Sequence, residues 1–179
     1  MRRSPCDTSS SGEKEVSGVK KAGKKGRNTA EPAVEDQMAI QQLLHRYCHA
    51  LDRGNVEEVV ELFHSDAVLL PAYESDARHV GRDAVRDWYT NYDRTLRANV
   101  RYLRHKISCP AIEVSGSTAT SVCYFDADAI PTGSDESIVL LGRYEDELVK
   151  DAGCWWFKER KIIGYYSHAA GRFSPGRGE

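Results

Sequence analysis

Residues 39–63 read AIQQLLHRYCHALDRGNVEEVVELF. Ile40, Leu43, Leu44, Tyr47, Cys48 and Leu51 recur at helical spacing and mark one apolar face. That face predicts a helix from Val34 to Asp52, stopped by Gly54. Asn55 stands as the N-cap of a second, short helix, with Glu58 as its capping-box partner. Val56, Val59, Val60 and Phe63 supply the apolar face of that helix. Asp52 closes the long helix on the flank of its apolar stripe, roughly 110° from the stripe's centre at helical pitch. A second stretch, RYLRHKISC at 101–109, alternates in strand fashion and puts His105 with Leu103, Ile107 and Cys109 on the inward face. A carboxylate ending a helix and a histidine on a later strand are the parts of a base and its orienter. Only a fold can bring them together.

Working outward, Asp66–Pro71 reads as a turn and a strand ended by proline. A polar loop follows through Glu74, Asp76 and His79. Gly81 introduces a third helix with Val85, Trp88, Tyr89 and Tyr92 on one side. From Val100 the period changes to two, and four long strands are predicted at 100–114, 117–130, 137–150 and 154–168. Ser115-Gly116 and Asp151-Ala152-Gly153 are hairpin turns, and Pro131-Thr132-Gly133-Ser134 is a longer one. This order predicts an α+β domain, a curved antiparallel sheet with its helices on the concave side. A sheet bent around one long helix leaves a cone, and a cone not filled by side chains is a pocket.

Composition narrows the class. The chain has 179 residues, 40% of them hydrophobic and 29% charged, as in ordinary globular domains. No apolar run approaches a membrane span, and no apolar stretch follows the first arginines, so neither a membrane partner nor a secretory signal is expected. Cys6, Cys48, Cys109, Cys123 and Cys154 form no CxxC and are odd in number, which points to reduced thiols in a cytoplasm. The net charge is −2, but residues 1–32 are basic and the remainder acidic. Residues 1–33 are rich in Ser, Gly and Lys and cannot bury enough surface to offset ordering entropy, so they read as a disordered basic tail. Its KKAGKKGR run reads as a solvated extension rather than a nucleic-acid contact. The domain is expected over 34–170, with a flexible C-terminus at 171–179.

Four motifs together carry a family resemblance. HRYCHALDRGNVEEVVELFHSDAVL (45–69), GRDAVRDWY (81–89), LRHKIS (103–108) and GRYEDELVKDAGCWWFKER (142–160) resemble the SnoaL-like branch of the nuclear transport factor 2-like superfamily, over about residues 35–165. The resemblance implies a cone-shaped curved antiparallel sheet wrapped around N-terminal helices. It implies several possible activities, among them dehydration, dehydrochlorination, isomerisation and cyclisation, and non-catalytic roles as well. Asp52 and His105 match the Asp and His of the dehydratase and dehydrochlorinase group, where the histidine takes a carbon-bound proton and the aspartate orients it. Scytalone dehydratase has a second pocket histidine on the next strand. Here that stretch is SVCYFDADA (121–129), which holds none, leaving Tyr124 or Asp126 near the position.

Each residue has a plainer reading as well. Asp52 reads equally well as a helix-terminal group bonding into the Arg53-Gly54 turn, and a lone inward histidine is more often a satisfied core residue. The resemblance favours the pair in both cases. His45 and His49 lie four apart, but opposite the apolar stripe, so no metal is expected. Arg160 reads as the partner of a structural acid before an anion anchor. No nucleophile elbow, phosphate loop or dinucleotide fingerprint occurs, and no cofactor is expected. The expected catalytic residues are His105 as base, Asp52 as orienter and Tyr144, or Tyr47, as electrophile. Tyr47, Trp88, Tyr92 and Tyr124 are expected to bind an apolar or aromatic small-molecule substrate. The expected function is proton abstraction leading to elimination or isomerisation, in a homo-oligomer, dimer or trimer. The alternative is a small-molecule-binding or oligomer-supporting member without catalysis. Deletion of residues 1–33 is expected to leave the thermal midpoint within a few degrees, because such a tail buries little. A large drop in the melting curve of the shortened chain would show that the tail packs on the domain.

Overall fold

The structure is a computed structural model that describes residues 34–72, 74 and 77–172, the side chain of residue 172 excepted. The basic tail expected at 1–33 lies outside the described residues, and so does the segment from 173 onward. Gly171 and Arg172, placed by the sequence in the flexible end, instead continue the last strand.

Helix α1 spans Val34–Arg53 and buries Ile40, Leu43, Leu44, Tyr47, Cys48 and Leu51, the face set by its periodicity. The Asp36 carboxylate near its start accepts from Lys150 Nζ at 2.7 Å and Trp155 Nε1 at 2.8 Å. Those two bonds hold its carboxyl below the usual carboxylate range and tie the helix to the sheet. At the other end Gly54 takes φ +70°, and Arg97 Nη2 donates to the Asp52 carbonyl at 2.9 Å. Helix α2, Val56–Val60, is N-capped as expected: Asn55 Oδ1 accepts from the Glu58 amide at 3.2 Å. The reciprocal half of the capping box does not form. Glu58 pairs with Arg53, and the Asn55 amide donates to Ala50 O.

Strand β1 (Phe63–Pro71) leads through a two-residue strand β2 (His79–Val80), within the segment read as a loop, to helix α3 (Arg82–Thr95). Strands β3 (Val100–Ser115), β4 (Thr118–Pro131), β5 (Glu136–Asp151) and β6 (Cys154–Arg172) then run as an antiparallel meander. The six strands form one curved sheet in the order β2-β1-β6-β5-β4-β3. One departure from the sequence reading is that β1 pairs with β6 in parallel. The α3 crossover and the meander separate the two strands in sequence, and a parallel pair needs such a connection rather than a hairpin.

Edge strand β3 carries two irregularities, between Arg101 and Arg104 and between Ser108 and Ala111. At these points Tyr102 and Cys109 take positive φ, 56° and 50°. Leu103, His105 and Ile107 face inward, as the alternation implies. The second bulge then resets the phase: Cys109 is exposed, and Ile112 and Val114 take up the inward face. No helix among the described residues is long and apolar enough to cross a membrane.

Gly142 on β5 fixes the fit between neighbouring strands. A Cβ there would stand 2.2 Å from the Ile163 carbonyl oxygen and 2.6 Å from two atoms of the Phe125 ring. Backbone cannot give way as a flexible side chain can, so Gly142→Ala is expected to destabilise by about 1–3 kcal/mol in urea unfolding. A midpoint equal to that of the parent would contradict this account of the packing.

Candidate active site

Arg160 organises the floor of the domain. Its guanidinium is fully buried and donates from Nε to Asp146 Oδ1 at 2.7 Å and from Nη2 to Asp146 Oδ2 at 3.0 Å. Ser121 Oγ donates to the same carboxylate at 2.9 Å. The rings of Tyr47, Phe157 and Tyr144 surround the guanidinium carbon at 3.9, 4.0 and 4.3 Å from their centroids. Burial works against the charge, but Asp146 outweighs it and the arginine stays protonated well above its ordinary value. Arg160 is thus the partner of a structural acid. Its Nη1 has no hydrogen-bond partner among the described residues, and the surrounding ring faces supply negative potential in place of one.

Above this floor lies a cavity of about 500 Å3. α1 contributes Tyr47 and Leu51, and α3 contributes Trp88, Tyr89 and Tyr92. The strands add Leu103 and His105 from β3, Phe125 and Ala127 from β4, Leu140 and Tyr144 from β5, and Ile162, Gly164, Tyr165 and Tyr166 from β6. Among the described residues that line it there is no Asp, Glu, Lys or Arg.

His105 is held from behind this wall. Its Nδ1 lies 2.6 Å from Asp52 Oδ1, and its backbone amide donates to Asp52 Oδ1 and Oδ2 at 3.0 and 3.1 Å. The imidazole is 6% exposed and the carboxylate 19%. An ionised carboxylate only accepts, so the ring proton belongs on Nδ1. Nε2 is left with no partner among the described residues.

The tyrosines divide into paired and open hydroxyls. Tyr47 and Tyr89 share a hydrogen bond of 2.8 Å between their hydroxyls. Tyr144 stacks on Phe125 at 4.5 Å between centroids, and no hydrogen bond from its hydroxyl is formed among the described residues. Burial raises the phenols of Tyr89 and Tyr144 well above the ordinary value and raises that of Tyr47 against the opposing pull of Arg160. All three are therefore neutral hydrogen-bond donors at neutral pH. Burial also pushes the thiol of Cys48 up to about 11 and that of Cys123 to about 12, so neither is a ready nucleophile.

Asp52 and His105 are brought together, and Tyr47, Trp88, Tyr92 and Tyr144 reach the same cavity. Trp88 Nε1 also donates to Glu74 Oε1 at 3.0 Å, which fixes the indole against Tyr92, stacked at 5.7 Å. Tyr124 is a correction: it is half exposed on the opposite face of β4, and Phe125 takes the inward place. The alternation of Phe125, Ala127 and Ala129 with Asp126 and Asp128 carried that signal. Tyr165 and Tyr166 carry no sequence signal for the site. They border the cavity within the run 164–167, at the register shift beside Gly142, but Tyr165 Oη accepts from Arg143 Nη1 at 3.2 Å and Tyr166 stacks on His168, so their rings lie along the outer side of the sheet. His45 and His49 are exposed, and no cluster of metal-ligating side chains occurs among the described residues.

The chain belongs to the SnoaL-like domain family, which it matches over residues 32–161. No curated protein matches it. Among solved structures it is similar to a candidate scytalone dehydratase from Novosphingobium aromaticivorans, at 27% identity and TM-score 0.66, covering 82% of this chain and 97% of that one. A candidate aromatic-ring hydroxylase from the same species has 23% identity and TM-score 0.67, with coverage of 78% and 96%. A hexachlorocyclohexane dehydrochlorinase from Novosphingobium barchaimii has 17% identity and TM-score 0.67, with coverage of 80% and 97%. Other similar structures are described as proteins of unknown function, or by their cystatin-like or nuclear transport factor 2-like fold.

The buried pair makes its own prediction. Asp146→Asn leaves Arg160 as an uncompensated buried cation, and the loss expected in urea unfolding is about 3–5 kcal/mol. A change below about 1 kcal/mol would mean that the three rings alone carry the charge.

Proposed function

We propose that this protein is a lyase or isomerase that takes a carbon-bound proton from a neutral apolar or aromatic small molecule, using its own side chains and no cofactor. The observation that carries this reading is the 2.6 Å contact between Asp52 Oδ1 and His105 Nδ1 in the wall of an apolar cavity. A proton on Nδ1 leaves the lone pair on Nε2, where a general base needs it.

In the reaction Nε2 takes the proton from a carbon next to a carbonyl or a leaving group. The C–H electron pair becomes a new C=C bond. In an elimination the leaving group departs with its own pair, as water after protonation or as halide. In an isomerisation the pair passes through an enolate and the proton returns at another carbon. The negative Asp52 stabilises the imidazolium formed meanwhile. Tyr144 donates its hydroxyl to the oxygen or leaving group on which charge develops. Tyr47, Trp88 and Tyr92 hold the apolar body of the substrate. Similarity to the candidate dehydratase supports elimination over isomerisation. The free thiols of Cys48, Cys109 and Cys123 accord with a cytoplasmic setting, whereas Cys154, expected as a reduced thiol, is disulfide-bonded and speaks against one. Val122 and Tyr124, exposed on the outer sheet face, support a dimer or trimer that pairs there.

The test is a panel of aromatic ketones, β-hydroxy ketones and chlorinated cyclohexanes, followed by NMR in deuterated water. The wild type is expected to release water or halide, or to place deuterium next to the carbonyl. His105→Ala should abolish this with the fold intact, and Asp52→Asn should slow it on the order of 10²-fold or more. Full activity in both variants sinks the enzyme reading. Binding without any turnover by the wild type favours the non-catalytic alternative.

A further inference from the structure

Two glycines face each other across the β5–β6 ladder, Gly142 and Gly164. The space above Gly142 is filled: the ring of Phe125 lies where a side chain would stand. Gly164 lines the cavity, and a Cβ built on it would meet only Leu140 Cδ1, at 4.0 Å. It is not among the positive-φ residues, though it adjoins the register shift between Leu141 and Gly142. A glycine inside a strand weakens that strand, and it marks a bulge or a place where a ligand or another backbone comes close.

We propose that Gly164 is the seat of the ligand's flat ring and sets the size of molecule the cavity accepts. The ring would lie on the bare backbone of Gly164 as Phe125 lies on that of Gly142, beside Leu140 and Ile162. The ligand class is a neutral molecule of two or more fused or linked rings, because no charged side chain lines the cavity among the described residues. This deepens the reading above, since it rests on the same cavity being a ligand site, but it does not depend on the chemistry of Asp52 and His105.

The experiment uses the full chain and two neutral probes, phenylnaphthylamine by fluorescence and single-ring benzyl alcohol by calorimetry. The variants Gly164→Ala and Gly164→Val are compared with the wild type. Wild type should bind both probes. Gly164→Val should weaken phenylnaphthylamine by about tenfold or more, and Gly164→Ala by less, with benzyl alcohol changed under about twofold. The thermal midpoint should hold or rise, because valine suits a strand better than glycine. Unchanged phenylnaphthylamine binding in Gly164→Val overturns the proposal, as does equal weakening of both probes. A lowered midpoint in both variants assigns Gly164 to the neighbouring bulge and overturns it too. Binding of neither probe by the wild type removes the cavity as a ligand site, and the function proposed above falls with it. Turnover that survives in the variants without a change in probe size preference leaves that function standing and removes only the role of Gly164.

Discussion

A single carboxylate fastens the end of the long helix to the edge of the sheet. Asp52 accepts from both the backbone amide and the ring nitrogen of His105, 53 residues away in sequence. β3 is the edge strand, so an amide of its open side has no strand to pair with, and Asp52 satisfies it. The position of the carboxylate is set in turn by the end of α1. Gly54 turns the chain at positive φ, and Arg97 binds the Asp52 carbonyl. A side chain at Gly54 would approach Arg97 Nε to 2.8 Å and Asp93 Oδ1 to 2.9 Å, so the turn and its arginine clamp fit only with glycine there.

A second constraint keeps charge out of the cavity. Arg160 and Asp146 are both buried, yet neither lines the cavity wall, because Tyr47, Tyr144 and Phe157 lie around the guanidinium. Burying two ions costs several kcal/mol each, and such a pair breaks even only with close geometry and satisfied partners. Here the geometry is a double hydrogen bond, with Ser121 on the acid and three aromatic faces on the cation. The tyrosines therefore present their rings to the arginine and remain neutral. A low-dielectric cavity bounded by neutral donors makes each hydrogen bond inside it count for more than it would in water.

Helices were legible because their periodicity is local. The face of Ile40, Leu44, Tyr47 and Leu51, the Asn55 cap and the Gly54 stop all survive in the structure. Strand existence was legible for the same reason, and the family resemblance added the pairing of Asp52 with His105. Features made by long-range register were not. The parallel β1–β6 ladder, the bulge that exposes Cys109 and the one at Tyr165 on β6 are settled by neighbouring strands. Tyr124 is a different case. Its outward place is written in the alternation with Asp126 and Asp128. Arg160 was legible as the partner of an acid, but its aromatic cage needs three elements at once.

Under the proposed function Asp52 has two duties, and this has a consequence for engineering. Where one carboxylate both closes a sheet edge and orients a base, a change that retunes the base also loosens the joint between helix and sheet. The chemistry is then hard to alter at Asp52, whereas the apolar lining is free to vary, since exchanging one hydrophobic wall residue for another leaves the joint untouched. Substrate choice under that proposal should accordingly migrate to the walls, to positions such as Leu140 and Gly164 on β5 and β6. The division explains how a fixed dyad geometry can coexist with a motif-free pocket. On the proposed function Asp52 is held by its structural bonds as much as by its chemistry, while the walls answer only to the shape of what they hold.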